Sequence, residues 1–143
     1  MTTAVADTAR FVLEELLPAT PSQPARVRVS VPGMAYRVEL VLDGDPAALA
    51  ARLGKRVTGR VRARAQRAWH ATAGGCFVEP VWGAPRIVQG RILAVDVQAN
   101  AALIDLAFPA WVSLEPSQAA GAYQTGDMLN FYVESGASFT PAA

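Results

Sequence analysis

The residues best suited to chemistry lie between Gly54 and Ala73, in GKRVTGRVRARAQRAWHATA, where arginine recurs at short intervals. Read as an extended segment, Val57, Gly59, Val61, Ala63, Ala65 and Trp69 take one face. Arg56, Thr58, Arg60, Arg62, Arg64 and Gln66 take the other, because strand side chains alternate with period two. Guanidinium groups on alternate residues stand roughly 7 Å apart, twice the strand rise. That approximates the phosphate spacing of a single nucleic-acid strand. Arg67 continues the basic run, and Trp69, Phe77 and Trp82 lie close by in sequence. Aromatic rings beside a basic groove are how small β folds stack unpaired bases. For each ring, burial in the core is the competing assignment.

A helical reading competes, since Val57, Val61, Ala65 and Trp69 also recur every fourth residue. The strand is preferred because of what precedes it. Asp45, Pro46 and AALAARL form a capped short helix that Gly54 stops, after which the chain changes direction.

Other chemistry finds little support. His70 is the single histidine and Cys76 the single cysteine. A thiolate–imidazolium pair would need the Ala73–Gly75 bend to fold one onto the other, with no nucleophile motif to support it. His70, Cys76 and Glu79 give three candidate metal ligands where structural zinc takes four, usually in recognisable pairs. Neither a Walker loop nor a dinucleotide fingerprint is present. The acids Asp96, Asp105, Asp127 and Glu134 are scattered over expected strand ends and turns. No catalytic residue, metal or cofactor is assigned, and the chain is expected not to be an enzyme.

Charge is distributed unevenly over the 143 residues, whose formal net charge is +1. Ala50–Ile92 carries +8, Leu93–Ala143 carries −5, and the preceding residues carry −2. Twelve arginines against one lysine partly reflect codon composition, but composition does not explain the clustering. The basic stretch could meet an anionic ligand, the acidic third of its own chain, or that third in a second copy. It could also guard an exposed strand edge against aggregation.

The supporting elements are mostly short strands. Val27, Val29 and Val31 alternate with Arg26, Arg28 and Ser30, and Tyr36, Val38, Leu40 and Leu42 repeat the pattern after a Pro32-Gly33 turn. Cys76–Trp82 is an expected strand whose Pro80 marks an edge or bulge. Arg86–Val97 and Ala102–Phe108 form a hairpin with Asn100 suited to positive φ, Trp111–Leu114 continues it, and Met128–Glu134 is a last strand. Val5, Ala9, Val12, Leu13, Leu16 and Leu17 make an amphipathic stripe that predicts an N-terminal helix over residues 1–17. A proline-rich connector follows over 18–25, a β domain over 26–136 and a tail over 137–143.

The expected fold is mainly β: a small, strongly bent antiparallel barrel with an N-terminal helix and one short internal helix. VQGRILAVDVQANAALIDL followed by TGDMLNFYV is similar to the strand–turn–strand and Gly-Asp–strand phrases of OB-like and SH3-like barrels, an analogy of fold alone. No apolar run reaches the roughly 20 residues of a membrane helix. The N-terminus lacks a basic-then-apolar leader, which with one cysteine points to the cytoplasm. The expected function is an arginine-strand binding module for an anionic partner, single-stranded nucleic acid foremost. The alternative is a self-assembling homo-oligomer whose basic strand meets the acidic third of a neighbour.

Overall fold

The computed structural model describes residues 6–72 and 74–142. They form a mainly β structure with one short helix. The strands are β1 (Ala9–Leu17), β2 (Arg26–Ser30), β3 (Arg37–Leu42), β4 (Arg56–His70), β5 (Phe77–Glu79), β6 (Trp82–Gly83), β7 (Ile87–Asp96), β8 (Ala101–Asp105), β9 (Pro109–Ser113), β10 (Met128–Val133) and β11 (Ser138–Pro141). The helix α1 (Pro46–Leu49) begins where Ala47 N–H donates to Asp45 Oδ1 at 3.0 Å, and Gly54 beyond it takes φ +76°. The cap and stop read from sequence are both present.

All eleven strands belong to one sheet, organised by β4. Pairings run from β1 to β2, β3, β11, β4 and back to β1. A second circuit runs from β4 to β10, β7, β8, β9 and back to β4. A strand of fifteen residues can serve both because residues 56–62 pair with β1 and β11 while residues 61–70 pair with β9 and β10. Phe11, Leu13, Val29, Leu40 and Phe139 from the first circuit and Val88, Ile92, Ile104, Val112 and Phe131 from the second join one continuous core. Phe11 meets Phe139 and Phe108 edge-on, with centroids 5.7 and 5.1 Å apart, an arrangement that aromatic quadrupoles favour.

The N-terminal helix is not what forms. Ala9–Leu17 is a strand, inserted between β2 and β4, and the residues of the expected helix before Ala6 lie outside the described residues. Ala9, Phe11 and Leu13 are fully buried while Arg10 is exposed, a period of two that coexists with the helical stripe in sequence. Backbone partners on both edges favour the extended form. The connector is likewise a turn: Thr20 and Gln23 bridge across it, so Pro18–Pro24 closes the β1–β2 hairpin. After Ala137 the expected tail becomes β11, which lies between β3 and β4 and buries Phe139 completely. The expected strand Cys76–Trp82 divides at Pro80 into β5, which joins β7, and β6, which joins β3.

The β7–β8 hairpin has Asn100 at φ +51°, as its sequence suggests. Its side chain also anchors the next loop. Asn100 Nδ2 donates to the carbonyls of Glu115 (3.3 Å) and Gln118 (2.9 Å), and Oδ1 accepts from Ala120 N–H at 2.8 Å. Asn100→Ala removes all three bonds and puts an unsuited residue at positive φ, so urea unfolding should show a loss of about 2–3 kcal/mol. Asn100→Gly keeps the backbone and should recover about 1 kcal/mol of that. A loss below about 0.5 kcal/mol for the alanine variant, the size of an ordinary surface change, would mean the loop is held by other contacts.

Candidate functional site

On β4 the two-faced alternation holds from Arg56 to Ala65. Val57, Gly59, Val61 and Ala65 face inward, and Arg56, Thr58, Arg60, Arg62 and Arg64 are exposed. The helical alternative is excluded by this pairing and burial. Beyond Ala65 the pattern shifts. Tyr132 pairs with Arg67 and Val133 with Ala65, so Gln66 is an extra residue, a β-bulge. Its consequence is a change of inward parity: Ala68 is buried, and Trp69, expected inside, turns out to 40% exposure. Arg67 and Trp69 therefore extend the outward arginine row. Trp69 rests against Tyr132 with ring centroids 5.5 Å apart.

The surroundings of these side chains differ. Arg60 Nε donates to Asp7 Oδ2 at 3.0 Å, and the same oxygen accepts from Trp111 Nε1–H at 2.9 Å. That indole, followed by the guanidinium, holds the Asp7 carboxyl below the usual aspartate range, with burial opposing. Arg62 Nη1 donates to Thr140 Oγ1 at 3.1 Å, and that hydroxyl donates to Asp43 Oδ2. Arg62 and Arg64 line a shallow depression of about 240 Å³ with Ser113, Ser135 and Ser138, and with Glu134 at one side. Arg67, Trp69, Gln118 and Tyr132 line another of about 390 Å³. Among the described residues the side chains of Arg56, Arg64 and Arg67 have no hydrogen-bond or ion-pair partner. The arginines of the β2–β3 hairpin contrast with them: Arg26 and Arg28 both pair with Glu39, and Arg28 also with Glu15.

Gln118 was not anticipated from sequence. Beyond Arg64, where β9 ends, its amide takes the place of a strand partner, accepting from Ala68 N–H at 3.1 Å and donating to Ala68 C=O at 2.7 Å. It keeps β4 extended up to Trp69. Local sequence marks Trp111 only as part of a strand, yet it stands opposite Arg62 in the β4–β9 register.

The remaining aromatics do not join the row. Phe77 shares a cross-strand line with Trp69 through Gln89 and Asn130, three strand spacings or about 14 Å away. Trp82 lies on β6 beside β3, where its Nε1–H donates to Ala35 C=O at 3.2 Å and the Arg37 guanidinium sits 5.4 Å from its ring. It is a separate surface.

Two roles that the sequence leaves open to the arginines do not hold in the fold. β4 is no exposed edge, since Gly59 is paired with both Ala9 and Pro141, and Arg62 with both Ser138 and Trp111. Among the described residues none of Arg56, Arg60, Arg62, Arg64 and Arg67 forms an ion pair with Asp96, Asp105, Glu115, Asp127 or Glu134 of the same chain. His70 Nε2 lies 3.3 Å from Asp127 Oδ2, and its ring meets Tyr123 edge-on; Cys76 is not its partner. Among the described residues no three His, Cys, Asp or Glu side chains gather where they could hold a metal ion. No helix among them is long and apolar enough to cross a membrane. Comparison with protein-family models, with curated proteins and with solved structures finds no match to this chain.

Proposed function

We propose that the chain is a non-enzymatic, cytoplasmic binding module that holds single-stranded nucleic acid along the outer face of β4. The pairing circuits that share this strand are read as two small barrels carrying one continuous binding strip. One observation carries the proposal: the Gln66 bulge sets Arg67 and Trp69 in line with Arg60, Arg62 and Arg64, so cationic and stacking groups follow one another on a single strand. Arginine forks suit phosphate oxygens, and the Trp69–Tyr132 pair offers a π-face that accepts any base. Arg56, Arg64 and Arg67, whose side chains have no partner among the described residues, give up no ion pair there to bind.

The alternative is self-association, in which these arginines meet Asp96, Asp105 or Glu115 of a second copy. What favours it is that, among the described residues, no acid of the C-terminal third pairs with these arginines. Size-exclusion chromatography with light scattering on nuclease-treated protein, with and without a labelled single-stranded oligonucleotide, separates the two. Co-elution at low salt that fades at moderate salt is the expected result. A discrete homo-oligomer that ignores the oligonucleotide overturns it and makes the arginines an assembly feature.

A further inference from the structure

Asp7 belongs to no strand, yet its carboxylate is the anchor for two N–H groups that start 51 residues apart, Arg60 Nε on β4 and Trp111 Nε1 on β9. Both donate to one oxygen, Oδ2, at 3.0 and 2.9 Å. An indole N–H can only donate, so half-buried Trp111 requires an acceptor at this point whether or not Asp7 supplies it. Arg62 faces Trp111 across the β4–β9 pairing, and Arg60 stays about half exposed beside its carboxylate. Two convergent donors, one of them charged, make an oxyanion position, and a carboxylate oxygen has the charge and acceptor geometry of a phosphate oxygen.

We propose that Arg60 and Trp111 form a phosphate subsite in the middle of the β4 strip, and that Asp7 is its resident, displaceable occupant. This rests on the reading of β4 as a phosphate-binding face and adds both a residue, Trp111, and a control on access. Asp7 lies two residues ahead of Ala9, the first residue of β1, so it can leave the subsite without breaking a strand pairing. Its departure costs an ion pair and a hydrogen bond that an arriving phosphodiester replaces with its own. Asp7 then sets a threshold: polyanions that bring several phosphates displace it, and isolated weak anions do so only at high concentration.

The test compares wild type with Asp7→Asn, which keeps the shape and removes the charge. Binding of a fluorescein-labelled single-stranded oligothymidylate is read by anisotropy, and the Trp111 indole N–H resonance, assigned with Trp111→Phe, is followed during titration with inorganic phosphate. Asp7→Asn should bind the oligonucleotide about three- to fivefold more tightly, the range of an exposed ion pair. Phosphate should shift the wild-type indole resonance, at a concentration lowered by about the same factor in the variant. Where wild type binds the oligonucleotide, equal or weaker binding by the variant overturns the subsite and leaves the strip itself standing. If neither protein binds the oligonucleotide while phosphate still moves the indole resonance, the subsite stands and the nucleic-acid reading falls. An indole resonance that phosphate does not move overturns the subsite.

Discussion

Alanine in place of Gly59 is expected to destabilise the fold by about 3 kcal/mol, a large share of the roughly 5–15 kcal/mol that keeps a domain folded. A Cβ on Gly59 would strike the carbonyl oxygen of Thr140 and stand 2.7 and 2.8 Å from two ring carbons of Phe139. Neither neighbour can move cheaply. Thr140 is held by its pairing with Arg60, and the Phe139 ring is fully buried and packed edge-on against Phe11. Gly59 is not at positive φ, so the cost comes from contact alone. Gly75 supplies the control, because a Cβ there meets nothing within 4 Å and its φ is also ordinary. Chemical denaturation should therefore find Gly75→Ala within about 0.5 kcal/mol of wild type and Gly59→Ala far below it. If the two variants unfold at the same denaturant concentration, close approach of β11 is not what selects glycine at residue 59.

Gly59 also separates what local sequence specifies from what the fold imposes. Its inward position follows from the alternation of Val57, Gly59 and Val61, a local pattern. Its need to lack a side chain does not, because that is imposed by Phe139 and Thr140, about eighty residues later. The same division recurs through the chain. The hairpins β2–β3 and β7–β8, the capped helix at Pro46 and positive φ at Asn100 were legible, since each is determined by neighbours in sequence. Strand β1 was misread as a helix because Ala9, Leu13 and Leu16 satisfy a helical period while Ala9, Phe11 and Leu13 satisfy an extended one. Only the hydrogen-bonding partners β2 and β4 decide between them. Strand β11 was too short to show any period, and its residues gain structure only between β3 and β4.

For the candidate site the arginine alternation was legible and its continuation was not. Strict alternation buries Trp69; the bulge at Gln66 exposes it, and a bulge is defined by the register of the partner strand. The convergence of Arg60 and Trp111 on Asp7 joins residues 53 and 104 positions from it, beyond the reach of any motif. Phe77 and Trp82 were grouped with the arginines by nearness in sequence. The break at Pro80 sends their strands to different neighbours, which removes both from the strip.

Changing Arg60, Arg62 and Arg64 together to serine should weaken single-stranded oligonucleotide binding roughly 100-fold at low salt, with each lost exposed charge contact worth about 0.9 kcal/mol. The more diagnostic quantity is the salt slope. Each phosphate contact on a single strand contributes about 0.7 to the fall of log affinity with log salt, so losing three should flatten the slope by about 2. The three are not equivalent. The Arg64 side chain has no partner among the described residues to surrender, Arg60 must first release Asp7, and Arg62 must leave Thr140, so Arg64→Ser alone should cost the most of the single changes. Trp69→Ala acts through a different physical term. It removes a stacking surface worth about 1–3 kcal/mol per base and carries no charge, so affinity should fall while the salt slope stays that of wild type. All four side chains are exposed, which keeps the fold intact through these changes and makes the comparison one of binding. A triple variant that binds with an unaltered slope would place the phosphates elsewhere on the molecule, and the outward row on β4 would then have to be explained by association between copies of the chain.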